Sequence, residues 1–453
     1  MVDLVPKFQE INLISESDIN KVKEDTKETV VIPYRDWAKK QTAVPIYKVP
    51  IEYCKYRVNN GRIITQVQTY IRNKAPLDPN SEHTQQIISS FLGETDQTQN
   101  ENLKKILKVE GQKEPVVITA DGFLINGNRR KWAFENLNKK EPNEAYRYLK
   151  VVILPGTNNP LRPTIADIAL LENRYQVYLT GKSDYTIMNK VLTLYTNEKM
   201  GIPLEEMLKD DPVYAGLETK AFTKAVEKFR KENFSPLELM QQYLVENKTP
   251  DDYVRVADKW SSFYEYSKNI KSKLEDYITR EDYEIREQDI GLIQAAAFNI
   301  IKLKDYSEIE SRNHEIIRKF FKFIEVDKNE LYKIGRIEDV DANITNAEDR
   351  YKKWNDENKE KIVRSLKKLK GLTERKEDQE GPIKRLEEII SKLDHADLDY
   401  EKLTYMKKAD VPEALRIANS AQTRINNIVK LLFHIKTGKE FDLAELLKEF
   451  NKK

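Results

Sequence analysis

The chain is 453 residues long, too long for one hydrophobic core of ordinary size, so two or three domains are expected. Hydrophobic residues make up 39% and charged residues 34%, with only 14 glycines, a balance that favours solvated amphipathic helices over tightly turned sheets. Basic and acidic side chains nearly cancel, 77 against 75, which excludes a whole-chain field driving it onto nucleic acid or membrane, and the lone Cys54 excludes a disulfide framework or a multi-cysteine zinc site.

Residues 1–43 are polar and charged with short apolar breaks and read as an arm. His83, His314, His395 and His434 lie too far apart for metal-ligand spacing. Neither a signal peptide nor a membrane span is found, so a soluble cytoplasmic protein is expected. From Val44 the texture changes. Residues 44–51 and 63–67 are rich in apolar and β-branched side chains and read as strands, with Asn60-Gly61 as a turn between them. Leu103, Ile106 and Leu107 mark a helix over 101–109, and Gly111 follows where a helix commonly ends. Residues 115–119 form a buried-strand signal, Asp121-Gly122 a turn and 123–125 a returning strand. A helix then runs from Gly127 or Asn128 to about Lys139, followed by a strand at 149–154. Thr164 with Asp167 has the spacing of a capping box and opens a helix reaching about Thr180. Beyond Ser183 the composition is helical, with breaks at 247–251, 335–346 and Gly381-Pro382. The expected organisation is an arm (1–43), an α+β domain (44–182), a helical segment (183–250) and a helical C-terminal region (251–453), that is, an α+β N-terminal domain followed by a mainly α-helical half.

Two helices carry candidate chemistry. In the one opening at Gly127, Arg130 stands three residues before Ala133 and four before Phe134, so its guanidinium lies along the inward face and needs a partner. Arg129 and Arg130 also occupy the first turn, where the helix dipole disfavours each cation by ~0.3–1 kcal/mol and the N–H groups favour anions. A phosphate held by those N–H groups and a guanidinium fork resolves both oddities. A buried carboxylate paired with Arg130 explains that residue equally well. In the helix opening at Thr164, Glu172 falls on the apolar face marked by Ile165, Ile168, Ala169 and Leu179, with Asn173 beside it. Such a carboxylate can hold a divalent metal accompanying a nucleoside triphosphate, or it can neutralise Arg130.

Glu114-Pro115-Val116-Val117-Ile118, Asp121-Gly122 and Ile125-Asn126-Gly127-Asn128-Arg129-Arg130-Lys131-Trp132-Ala133 together resemble the signature region of ParB-type partition proteins and their ParB/sulfiredoxin-like relatives. Ala169-Leu170-Leu171-Glu172-Asn173-Arg174-Tyr175-Gln176 resembles the Glu-Asn box of that family, and the likeness spans about 44–180. It implies a domain that binds a nucleoside triphosphate, CTP in the partition proteins and ATP or ADP in other branches. Gly127, Asn128, Arg129 and Arg130 would then contact phosphates. Glu172 and Asn173 would hold Mg²⁺ or lie beside the triphosphate, and Glu172 is the candidate catalytic carboxylate. Asn128 stands where partition proteins usually have glutamate, and Glu114-Pro115 where they have Gln-Pro, so the choice between CTP and ATP stays open. The cysteine that sulfiredoxins carry in this box is missing, so reductase activity is not expected.

The resemblance also implies a helix-turn-helix, to be sought over 185–243. There, a helix at about 218–231 carries Lys220, Lys224, Lys228 and Lys231 on one stripe, with Phe222, Val226 and Phe229 on another. Such lysines can lie along DNA phosphates, and a solvated helix face is the alternative. Further on, Leu386, Ile389, Ile390 and Leu393 form an amphipathic stripe suited to a protein partner or to a homodimer, and since no sustained heptad pattern accompanies it, packing within its own domain is the alternative. The functional expectation is a bacterial or archaeal ParB-like nucleotide-binding switch or slow NTPase in a DNA-associated process. The alternatives are a nuclease or kinase of a mobile-element or anti-phage system that uses Glu172, and a non-catalytic scaffold in which Arg130 and Glu172 pair.

Overall fold

The computed structural model describes residues 16–34, 42–177, 186–209, 211–303, 311–340, 344, 346–395, 398 and 400–437. The chain divides into two compact units, Met1–Gly371 and Leu372–Lys453.

The first unit opens with α1 (Glu16–Val22), β1 (Glu24–Val31) and β2 (Ala43–Pro50), and its sheet is completed by β3 (Val116–Ile118) and β4 (Tyr148–Ile153). The order is β1-β2-β4-β3; β4 runs antiparallel to β2 and parallel to β3. Alternation along the strands splits the sheet's apolar residues between two cores. Val49, Val116, Ile118, Leu149 and Val151 meet α2 (Ile64–Asn73), α3 (Glu82–Glu94), α4 (Gln97–Glu110) and α5 (Asn128–Lys140) through Val67, Ile88, Leu92, Leu107, Ala133, Phe134 and Leu137. Ile46, Val117 and Val152 on the opposite face meet Ile168, Leu171 and Tyr175 of α6 (Ile165–Val177).

Several local expectations are met and others corrected. The capping box forms at the start of α6: the Thr164 N–H donates to Asp167 Oδ2 (2.8 Å) and the Asp167 N–H to Thr164 Oγ1 (3.1 Å). Residues 24–31, placed in the polar arm by composition, are instead an edge strand, and its exposed Glu24, Asp25, Lys27 and Glu28 are the charged decoration that edges tolerate. Residues 63–67 are helix, not strand. Asn60 closes a turn, its Oδ1 accepting from the Arg62 N–H (3.0 Å) and its carbonyl from the Ile63 N–H (3.0 Å), and Ile63, Ile64 and Val67 are then buried at helical spacing. Residues 123–125 return beside β3, but only single bridges form, Ile118 with Leu124 and Lys55 with Phe123, because the turn leaves too few residues for a ladder.

The helical part of the first unit comprises α7 (Ile187–Lys199), α8 (Leu204–Leu208), α9 (Thr219–Phe229), α10 (Ser235–Glu246), α11 (Trp260–Tyr266), α12 (Ser272–Glu275), α13 (Tyr277–Asp282), α14 (Ile290–Lys302), α15 (Asn313–Arg318), α16 (Phe320–Gly335) and the start of α17 (Ala347–Leu393). Its core is continuous from Ile64 and Ala169 to Leu369, so the sheet region and these helices are packed together. Trp260, Phe263 and Tyr266 belong to that core. A π-helical turn, Arg230–Phe234, joins α9 to α10. It brings Phe229 and Phe234, five residues apart, into edge-to-face contact at 5.8 Å between ring centres.

The second unit contains the rest of α17, then α18 (Tyr400–Leu403) and α19 (Val411–Thr437). The break expected at Gly381-Pro382 does not occur, and Pro382 lies inside α17. Its missing N–H leaves the Asp378 carbonyl without a helical donor, and that stretch is exposed, so water can serve it. No helix among the described residues is long and apolar enough to cross a membrane.

Candidate anion-binding site at the start of α5

Gly127 adopts φ +80° at the N-cap of α5. A Cβ there would stand 2.1 Å from Val116 Cγ1, so only glycine lets the hairpin turn into α5 this close to β3. Asn126 fixes the entry, its Oδ1 accepting from the Val117 N–H at 2.6 Å. No side chain caps α5, which leaves its first-turn N–H groups for another acceptor.

The two arginines of the box diverge. Arg130 Nη1 turns back to donate to the carbonyls of Glu114 and Pro115, the latter at 3.3 Å, and burial lowers its pKa against the opposing pull of Glu114. Glu172 is not its partner, so the Arg130–Glu172 ion pair weighed from the sequence does not form. Arg129 Nε donates to Asn100 Oδ1 (2.8 Å), and Asn100 is itself held by the carbonyls of Leu92 (2.8 Å) and Thr95 (2.9 Å). Burial lowers the Arg129 pKa, the Arg62 guanidinium lowers it further, and Asp96 opposes both. Lys131 has a structural role: its ammonium meets Glu135 and lies 4.2 Å from the Tyr56 ring centre, while Tyr56 donates to Glu135 Oε2 at 2.6 Å.

Glu172 reaches from α6 to the loop before α2. Its Oε2 accepts from Arg57 Nη1 (3.0 Å) and its Oε1 from the Gly61 N–H (3.1 Å), and the Arg57 and Glu172 side chains are only 13% and 9% exposed. Arg62 is buried, and its carbonyl accepts from Asn189 Nδ2 of α7. Two amide atoms in this region, Asn60 Nδ2 and Asn128 Oδ1, are buried without a hydrogen-bond partner. Each such orphan costs about 1–3 kcal/mol and calls for an explanation. Amide oxygen and nitrogen are told apart only by their partners, so Asn128 can equally present its N–H groups.

The fold thus places Gly127, Asn128 and Arg129 at one helix start with Arg62 acting on Arg129, and it leaves Arg130 on the side of Glu114. Glu172 and Asn173 are each engaged within the protein. Asn173 Nδ2 donates to the Met207 carbonyl (2.5 Å), the Glu172 charge is balanced by Arg57, and no group of three or more His, Cys, Asp or Glu side chains among the described residues could hold an ion. Arg57, Asn60 and Arg62 escaped sequence reasoning. The available signal was the pair of arginines flanking Asn60-Gly61, a dipeptide that reads as a hairpin turn.

On α9, Lys220, Lys224 and Lys228 are exposed, as is Lys231 in the turn that follows, while Val226 and Phe229 face the core. Lys228 approaches Glu232 at 3.9 Å. Arg230 is tied to Glu198 (2.5 Å) and Glu205 (3.5 Å), so it holds α9 to the α7–α8 region. Comparison with protein-family models, characterised proteins and solved structures gives no match to this chain, and the ParB/sulfiredoxin-like resemblance rests on the residues quoted above.

Proposed function

We propose that the first unit binds the phosphate chain of a nucleoside triphosphate, CTP or ATP, at the start of α5, and acts as a nucleotide-dependent switch or slow NTPase in a DNA-associated process. The observation that carries this reading is Arg129. It is a half-buried cation on an uncapped helix N-terminus, repelled by Arg62, with a neutral amide as its hydrogen-bond partner. A polyanion relieves the repulsion, satisfies the first-turn N–H groups and gives the amides of Asn60 and Asn128 a partner.

In this reading Gly127, Asn128, Arg129 and Arg62 contact phosphate, and Arg130 fixes the junction of β3 and α5. Mg²⁺ enters as the counter-ion of the triphosphate, held chiefly by phosphate oxygens. Glu172 and Asn173 are committed to Arg57, Gly61 and Met207, which favours binding over the nuclease and kinase readings that need a free carboxylate. The scaffold reading needed Arg130 to be neutralised by Glu172. The exposed lysines of α9 and the turn after it supply a phosphate-tracking stripe, and the engagement of Arg230 fits sequence-independent contact with DNA.

The test is a thermal-shift panel of CTP, ATP, GTP and ADP, each with and without Mg²⁺, on the wild type, Arg129→Gln and Arg130→Gln. A triphosphate at 100 times its Kd should stabilise the wild type by about 2.7 kcal/mol. Arg129→Gln should lose that gain and Arg130→Gln should keep most of it relative to its own baseline. No stabilisation by any of the four nucleotides refutes the reading.

A further inference from the structure

A cavity of about 740 Å³ opens in the first unit where α2, α10, α11, α15 and the start of α17 meet the 3₁₀ helix Tyr253–Lys259. That volume is well inside the roughly 300–1,000 Å³ of small-molecule sites. None of its lining residues belongs to the site at the start of α5. Thr69 of α2 fixes one wall, its Oγ1 accepting from the Val254 N–H at 3.2 Å and donating to the Asp251 carbonyl at 3.4 Å. Side chains three apart eclipse one another in a 3₁₀ helix, so Arg255 and Asp258 share one face while Tyr253 and Val256 are buried on another.

Two hydroxyls of this cavity are buried and unanswered. Tyr243 and Ser262 are each 4% exposed, both line the cavity, and among the described residues neither hydroxyl has a hydrogen-bond partner. Buried polar groups are rarely left so. Burial pushes the Tyr243 hydroxyl well above the ordinary phenol value, Tyr351 and Asp258 add to the rise and Arg255 opposes it, which sets these three groups around it. The Tyr351 hydroxyl is pushed up to about 12 by burial and donates to the Lys302 carbonyl at 2.8 Å. Both phenols are therefore neutral groups at ordinary pH. Arg255 is drawn toward Asp252 (3.2 Å) and Glu348 (3.1 Å). Its other N–H groups remain, and the Asp258 carboxylate has no hydrogen bond or ion pair among the described residues.

The balance of charge says what kind of molecule fits. Arg255, Lys259 and Arg312 are offset by Asp252, Asp258 and Glu348, so the walls carry no net charge to draw in a polyanion or a polycation. The polar groups instead mix donors with acceptors. A ligand entering such a site must return both functions of the water it displaces. Hydroxyl groups do so, since each donates and accepts. We propose that this cavity binds a neutral polyhydroxylated molecule of nucleoside or disaccharide size, with a vicinal diol shared between Asp258 and Arg255 and further polar groups meeting the Tyr243 and Ser262 hydroxyls. A carboxylate beside a guanidinium suits a diol, because the one accepts its O–H groups and the other donates to its oxygens. This inference is independent of the nucleotide reading, which needs phosphate at the start of α5.

Calorimetric titration of the full chain with adenosine, cytidine, maltose and trehalose at millimolar concentration should show saturable binding of at least one, and which pair binds separates a nucleoside from a saccharide. Tyr243→Phe removes only the unanswered hydroxyl and keeps the edge-to-face contacts of the ring with Phe263 and Phe298. Its Tm should equal or exceed that of the wild type, while the probe that binds is weakened about tenfold. Asp258→Ala should weaken that probe by about ten- to a hundredfold. Arg129→Gln should leave its affinity unchanged, which keeps this cavity apart from the site at the start of α5. No binding by any of the four probes, wild-type affinity in Tyr243→Phe or in Asp258→Ala, or loss of binding in Arg129→Gln would each overturn the proposal.

Discussion

Replacing Glu172 by glutamine should be one of the costliest single-atom changes in the first unit. The Arg57 side chain is 13% exposed, and Glu172 is its ion-pair partner. Glu172→Gln therefore strands a nearly buried guanidinium, an event that typically costs about 3–5 kcal/mol. The glutamine carbonyl can still accept from the Gly61 N–H, which places the expected loss near about 3 kcal/mol. Arg57→Gln should cost a similar amount by stranding the carboxylate. The double variant removes both charges and should lose only about 1–2 kcal/mol, so the coupling between the two sites should reach about 4 kcal/mol. The same cycle between Arg130 and Glu172 should be additive within about 0.5 kcal/mol, because Arg130 is served by main-chain carbonyls. Denaturant midpoints followed by far-UV and near-UV circular dichroism provide the measurement. Additive Arg57 and Glu172 effects, or strong coupling to Arg130, would refute the assignment of this pair.

Gly127→Ala should destabilise by about 2–4 kcal/mol, combining the left-handed backbone cost with the clash at Val116, and adding Val116→Ala should return part of it; a change under about 0.5 kcal/mol would contradict the geometry. Glu330 is held down to about 2 by hydrogen bonds from Lys333 and Lys368. Because its folded value lies below the ordinary 4.5, its contribution to stability is present above 4.5 and is lost as pH falls toward 2. Glu330→Gln should therefore flatten the decline in Tm across that acid window, and an unchanged slope would remove Glu330 as its source. Replacing Lys220, Lys224, Lys228 and Lys231 together by glutamine should weaken duplex DNA binding equally for all sequences and reduce the salt slope by about 0.9 for each phosphate no longer neutralised. An unaltered salt slope would leave the stripe as ordinary solvated surface.

What could be read from the sequence was local. The turn at Gly127, the capping box at Thr164 and the helix at 101–109 each depend on side chains within a few residues of one another, and each formed. The Asn60-Gly61 dipeptide carries the signature of a hairpin turn, yet the Asn60 side chain bonds forward to Arg62 and starts a helix, because burying Ile63, Ile64 and Val67 on one side outweighs their strand preference. The partner of Glu172 lies 115 residues upstream, and spacing rules say nothing about such distances. Nor does the sequence separate Arg129 from Arg130. Both sit in one turn, and the loop carrying Arg57 and Arg62, together with the carbonyls of Glu114 and Pro115, decides which of them faces a candidate ligand. The helix across Pro382 defeated a rule that holds best in buried segments.

The π-helical turn between α9 and α10 bears on how this protein can vary in length. An α-helix in which five residues separate two aromatic rings would point them apart, and here they touch only because one extra residue is accommodated in the widened turn. Deleting Lys231 or Glu232 would convert the segment to ordinary helix and leave Phe229 four residues from its aromatic neighbour, still on one side. The same deletion inside α10 would swing Leu237, Met240 and Leu244 through about a quarter turn and out of their contacts. Natural variants that lose a single residue from this helical run should therefore lose it at the turn.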